Sequence, residues 1–156
     1  MPIINLKTTI HAPILRCFDL SRSIDLHQSS MSHTREKAIG GRTSGLIELH
    51  ETVTWEARHF GIMQNLTSVI TDVISPTFFA DEMVRGAFKC FRHEHHFSEK
   101  DGVTTLIDIF DYTSPFGFLG RLFDLLVLKA YMRKLLQKRN EVLKAYAESD
   151  RWRELL

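Results

Sequence analysis

The stretch Phe88-Lys89-Cys90-Phe91-Arg92-His93-Glu94-His95-His96-Phe97-Ser98-Glu99-Lys100-Asp101-Gly102-Val103-Thr104-Thr105-Leu106-Ile107-Asp108-Ile109-Phe110-Asp111-Tyr112 decides the fold. Asp-Gly between alternating runs is the strongest short-range hairpin signal and favours a type I′ turn, in which both central residues take positive φ. Such a turn fixes register. With Lys100 paired to Val103, Phe97 lies opposite Leu106, His95 opposite Asp108, His93 opposite Phe110 and Phe91 opposite Tyr112, all on one face. The other face takes Arg92 opposite Asp111, Glu94 opposite Ile109, His96 opposite Ile107 and Ser98 opposite Thr105, a wetter surface with one opposite-charge pair. The first face is aromatic and apolar, yet carries two histidines and an aspartate at its centre.

Polar groups on a core-facing surface cost roughly 2 to 7 kcal/mol each unless partnered. His95 and Asp108 satisfying each other across the strands is one account. A cavity that uses them for binding is a second, and catalysis or metal binding a third. The pattern alone leaves all three open.

Downstream, Ser114-Pro115-Phe116-Gly117 ends the last strand, and from Phe118 to Glu148 only Gly120 interrupts a helical pattern. A helix of ~30 residues would be ~45 Å long. Its first part, Leu119 to Met132, is apolar nearly all round, with Arg121, Asp124 and Lys129 as its charges. That excess reads as a core helix lying on the sheet, with a membrane-surface or partner contact as the alternative. The second part sets Leu135, Leu136, Val142, Leu143 and Tyr146 against Arg133, Lys134, Lys138, Arg139 and Lys144.

Upstream, residues 3 to 11 alternate as a strand, Pro13 suits the first turn of a short helix through Ile14, Leu15, Cys17 and Phe18, and Ser23 caps a second one running towards Met31. A strand over Thr34 to Ile39 closes at Gly40-Gly41. His50 to Phe60 alternates as the next strand, with Trp55 and His59 on its large apolar side. A turn around Gly61 to Gln64 leads to strands at Asn65 to Ile74 and Thr77 to Val84, and Arg85-Gly86 turns into the hairpin. The expected class is α+β, a single domain over 1–156 with an antiparallel sheet of about six or seven strands.

The 156 residues, 44% hydrophobic and 25% charged, suit one globular core. A net charge of +1 from 20 basic and 19 acidic side chains supplies no global field for nucleic acid. Cys17 and Cys90 lack any metal or redox spacing, the amino terminus lacks the pattern of a secretory signal, and no run approaches the ~20 apolar residues of a span. A cytoplasmic protein without stable membrane insertion is expected.

Strand, two short helices, a run of antiparallel strands and one long carboxy-terminal helix resembles the START/Bet v 1-like helix-grip superfamily, SRPBCC, over essentially the whole chain. Ile10-His11-Ala12-Pro13 with Cys17-Phe18-Asp19 is similar to its opening strand-to-helix signature. Val53 to Gly61, Phe91 to Phe97, and Asp108 to Gly117 with Tyr131-Met132 resemble a bacterial branch labelled polyketide cyclase/dehydrase-like. The resemblance implies a curved sheet wrapped around the long helix, with a tunnel between them. Phe91, His93, His95, Phe97, Asp108, Phe110 and Tyr112 would line it, joined by Trp55 and His59 and by Phe79, Asp81 and Met83. Leu122, Leu126 and Met132 would form the helix side.

The function expected is binding of a hydrophobic or amphipathic small molecule of the lipid, polyketide or quinone class. The alternatives are cyclase- or dehydratase-type proton transfer by a His95–Asp108 pair, or a non-enzymatic protein-interaction or regulatory role. His93 and His95 with His59 and Asp108 nearby raise a zinc site in principle, but no metal and no cofactor is expected. A protein partner and the oligomeric state stay open.

Overall fold

In a computed structural model, which describes residues 2–156, Asp101 and Gly102 take φ of 52° and 76°. The turn is therefore type I′, and every pair from Lys100–Val103 to Phe91–Tyr112 falls in the expected register. The hairpin consists of β6 (Cys90–Lys100) and β7 (Val103–Thr113). β1 (Ile3–Ile10) pairs with β7 on one side. β5 (Phe78–Arg85), β4 (Ile62–Ile74), β3 (Thr52–His59) and β2 (Lys37–Gly41) follow in turn beyond β6, giving the sheet order β1-β7-β6-β5-β4-β3-β2.

Helices α1 (Ile14–Ser21) and α2 (Ile24–Ser30) follow β1, and Ser23 caps α2 by accepting from the Leu26 amide at 3.1 Å. At the other end of the chain α3 (Gly117–Phe123) runs through a π-helical turn, Asp124–Leu128, into α4 (Lys129–Ala147). This is the helix-grip architecture, with α4 lying across the concave face.

The larger buried cluster forms where α1 and the end of α4 meet the sheet. Phe18 stands edge-on to both Phe79 and Phe97 at 5.6 Å between ring centres, and Leu20, Leu106 and Leu143 are fully buried around it. Each such side chain contributes about 1.5–3 kcal/mol on burial.

Several expectations need correction. The β3–β4 turn is the tight pair Phe60-Gly61, with φ of 51° and 76°, so β4 starts at Ile62 rather than after Gln64. Thr34 belongs to a 3-10 turn, and the strand starts at Lys37 and includes both glycines. Gly41 must be glycine there, because its φ is 68° and a Cβ would stand 2.2 Å from the Thr52 carbonyl oxygen. Arg92 and Asp111 are neighbours in the ladder, yet the guanidinium turns to Glu82, Glu94 and Asp72 at 2.6, 2.9 and 3.1 Å. Three carboxylates, on β4, β5 and its own strand, outweigh the one beside it on β7. Finally, the apolar start of the long helix is not core: most of its large side chains face solvent.

Candidate ligand-binding site

Antiparallel order carries the β3–β4 turn, the β5–β6 turn and the β7–α3 link to one end of the sheet. There the sheet and the helix part. Between them lies a cavity of about 620 Å³ that reaches down the concave face to Ser21 and Ile24. Phe60, Ala87, Phe116 and Leu119 both line it and stand exposed, so they mark its mouth. His59 Nδ1 meets the Tyr131 hydroxyl at 2.7 Å beside that mouth, tying β3 to the start of α4. Burial lowers the pKa of His59.

Trp55, Phe79, Phe91 and Phe110 supply aromatic wall, while His59, Asp81, His93, His95 and Met132 also line the cavity. The other expected residues do not. Phe97 is sealed in the core against Phe18, and Met83 packs against the buried cluster that holds Ile4, Phe91, Phe110 and Tyr112. Tyr112 is buried beneath the π turn, where its hydroxyl donates to Asp124. Burial first, then the hydrogen bond and charge of Asp124, raise the Tyr112 pKa. Leu122 and Leu126 point outward, because the buried stripe of that helix is Gly120, Asp124 and Leu128. Gly120 is fixed there by contact: a Cβ would meet the Pro115 carbonyl oxygen at 1.7 Å.

Asp108 is fully buried behind the histidines rather than on the wall. Its Oδ1 accepts from His93 Nε2 at 3.1 Å, its Oδ2 accepts from Asn140 Nδ2, and Arg139 Nη1 stands 3.6 Å away. His95 lies between two carboxylates. Its Nε2 is 3.3 Å from Asp81 Oδ1, and its Nδ1 is 2.8 Å from Asp108 Oδ1 but out of line for a hydrogen bond. Phe79 stacks on the His95 ring at 4.1 Å, and the two imidazole centres are 3.9 Å apart.

Burial would raise the pKa of Asp108, but the hydrogen bond from His93 and the close approach of the His95 ring outweigh it and hold the carboxyl well below the usual range. Asp81 is lowered the same way, burial being outweighed by the His95 hydrogen bond and the proximity of His93, His95 and Arg139. Burial, then repulsion from His95, holds His93 at about 4 despite Asp108. At neutral pH the cluster therefore presents ionised carboxylates and a neutral His93 imidazole.

Reading the sequence missed Arg139 and Asn140, placing Arg139 on the solvated face. Both are buried, and Arg139 donates to the Ser21 carbonyl at 3.0 Å while lining the cavity. Their spacing carried the signal, since Arg139 sits four residues after Leu135 and four before Leu143, on the apolar stripe itself. Charge outweighed position in the reading.

Among the described residues, Asp81, His93 and His95 form a group that could hold a metal ion, with one donor atom of each lying within 4.8 Å of the others. Bonds of about 2.1 Å allow donors at most about 4.2 Å apart, so the three would have to close up around a cation. As they stand, Asp108 holds His93 and Asp81 holds His95 Nε2, while His95 Nδ1 has no hydrogen-bond partner.

No protein-family model matches the chain, and no curated protein matches it in sequence. Solved structures do match it in shape. The protein TTHA0849 of Thermus thermophilus is 16% identical, with a TM-score of 0.72 over 94% of this chain and 99% of that one. The major latex-like protein 151 of Panax ginseng is 13% identical, with a TM-score of 0.69 over 95% and 98%. The Zhui aromatase/cyclase of Streptomyces sp. R1128 is 11% identical, with a TM-score of 0.65 over 90% and 93%. These likenesses agree with the START/Bet v 1-like helix-grip fold.

Proposed function

We propose that the chain binds a hydrophobic or amphipathic small molecule, of the lipid, polyketide or quinone class, in the cavity between sheet and helix. One observation carries the reading: a large space walled mainly by apolar groups has buried His93, His95 and Arg139 and half-buried Asp81 gathered at one place. Apolar contact supplies affinity and the cluster sets orientation. The apolar body lies against Trp55, Phe79, Phe91 and Phe110. Ionised Asp81 beside the neutral His93 imidazole suits a head that donates a hydrogen bond, a hydroxyl or a phenol, and Arg139 on the same wall supplies a donor to its oxygen. The free thiols Cys17 and Cys90 support a cytoplasmic setting.

The test is titration with anilinonaphthalene sulfonate, together with native mass spectrometry after exposure to lipid and polyketide extracts. Saturable binding that disappears in Ala57→Trp, which fills the cavity from β3, is expected. Equal binding by the wild type and Ala57→Trp would overturn the reading.

A second reading rests on His95 standing between two carboxylates at the cavity wall: proton transfer during cyclisation or dehydration. The aromatase/cyclase among the similar structures fits it. Turnover of a polyketide substrate that survives unchanged in His95→Ala would remove this role.

A further inference from the structure

From Phe118 to Leu128 the helix presents three stripes with different surroundings. Gly120, Asp124 and Leu128 face the protein and are buried, whereas Leu119 and Phe123 turn to the cavity mouth. Phe118, Leu122, Leu125 and Leu126, spaced as one helical face, touch neither the core nor the cavity and are 78, 46, 81 and 69% exposed. Beside them, Phe60 at the tip of the β3–β4 turn packs edge-on to Phe123 at 5.6 Å and is followed by exposed Ile62 and Met63. Two elements far apart in sequence thus share one apolar surface around the mouth. Contiguous apolar surface of this kind marks an interaction site.

The exposed charges on this stretch of helix have one sign. Between Phe116 and Lys134 the cations are Arg121, Lys129, Arg133 and Lys134, and the single carboxylate, Asp124, is buried against Tyr112. A whole chain of net charge +1 therefore carries a local cationic rim around its most apolar surface. A second copy of the chain is a poor occupant, because a two-fold contact sets a patch against itself and brings like charges together. An anionic bilayer surface complements both features: acyl chains accept the leucines and phenylalanines, and headgroup phosphates accept the cations. The apolar stretch of about ten residues is ~15 Å long, enough to lie in the interface and too short to cross.

We propose that the open end of the molecule, the face formed by the Phe118–Leu126 helix and the Phe60–Met63 turn, docks on the surface of an anionic lipid bilayer. With the cavity mouth set in that same face, a hydrophobic molecule passes between membrane and tunnel without crossing water. That last step rests on the ligand-binding reading above; the docking itself does not.

The experiment is co-sedimentation of the full chain with phosphatidylcholine vesicles and with vesicles half phosphatidylglycerol, accompanied by sedimentation velocity without vesicles. Binding to the anionic vesicles is expected to exceed binding to the neutral ones roughly a hundredfold, as about three cationic contacts would give, and to weaken in ~0.5 M salt. Leu125→Asp and Phe118→Asp, which leave the cavity wall untouched, are expected to lose vesicle binding roughly tenfold while still taking up anilinonaphthalene sulfonate. Ala57→Trp is expected to do the reverse, so failure of docking and failure of the tunnel reading separate. No binding to anionic vesicles, binding indifferent to both aspartates, or a stable dimer that the aspartates dissolve would overturn the proposal.

Discussion

The two ends of the same sheet and helix are built on opposite terms. At the closed end Phe18, Leu20, Leu106 and Leu143 have essentially no exposed surface, and α1 plugs the gap between β6 and α4. At the open end no element does this job, and the helix that might have done so turns its leucines and phenylalanines to solvent. Stability concentrates where volume is filled, and an opening persists where it is not. Between the two lies the polar network on Asp108, which ties β6, β7 and α4 together across the inner end of the cavity.

Breaking that network gives the largest expected effect. Asp108→Ala leaves His93, Asn140 and Arg139 buried without their shared acceptor and should cost about 3–5 kcal/mol in urea unfolding. A cost below about 1 kcal/mol would mean that the polar cluster is not what joins the two ends.

Next comes the direct contrast. Leu143→Ala at the closed end should cost about 2–5 kcal/mol, whereas Leu125→Ala at the open end should stay within about 0.5 kcal/mol of wild type. Similar midpoint shifts for both would collapse the comparison.

Acid should weaken the fold through the same network. His93 is held at about 4 in the fold against an ordinary 6.5, so below about pH 6.5 the unfolded chain takes up a proton that the folded one refuses. Stability therefore falls as pH drops from about 6.5 to about 4, by about 3 kcal/mol from this residue. The lowered carboxyls of Asp81 and Asp108 act further down, their contribution being complete above about pH 4 and lost as pH falls through their folded values. Urea midpoints measured from about pH 7 to about pH 4 should flatten in His93→Gln. An unchanged slope would detach His93 from the acid response.

The smallest effect sharpens the open end. Tyr112→Phe removes the buried donor to Asp124 and should cost about 1–3 kcal/mol, with hydrogen exchange rising mainly in the Asp124–Leu128 turn. Protection lost evenly along the helix would show that the π turn has no separate stability.

Much of the frame was readable in the chain. Asp101-Gly102 admits one register, and with it came the face that holds His93, His95 and Asp108. The same alternation put Trp55, His59, Phe79 and Asp81 on the cavity side. It could not separate the wall from what lies behind it. Phe97, Asp108 and Tyr112 share the face of His93 and His95, but neighbouring elements cover them. Arg139 and Asn140 were hidden by their polarity, although the helical spacing placed them inward.

What the sequence determined by itself was local and periodic: the hairpin, its register, the paired helices after β1 and the long carboxy-terminal helix. These depend on turn stereochemistry and side-chain alternation, which act between near neighbours. The tertiary structure alone decided that the sheet and helix diverge at one end, that Asp108 is a hub shared by β6, β7 and α4, and that Phe118, Leu122, Leu125 and Leu126 cover nothing. Burial depends on which surfaces meet across the fold, and an apolar residue carries the same chemistry whether or not a partner reaches it.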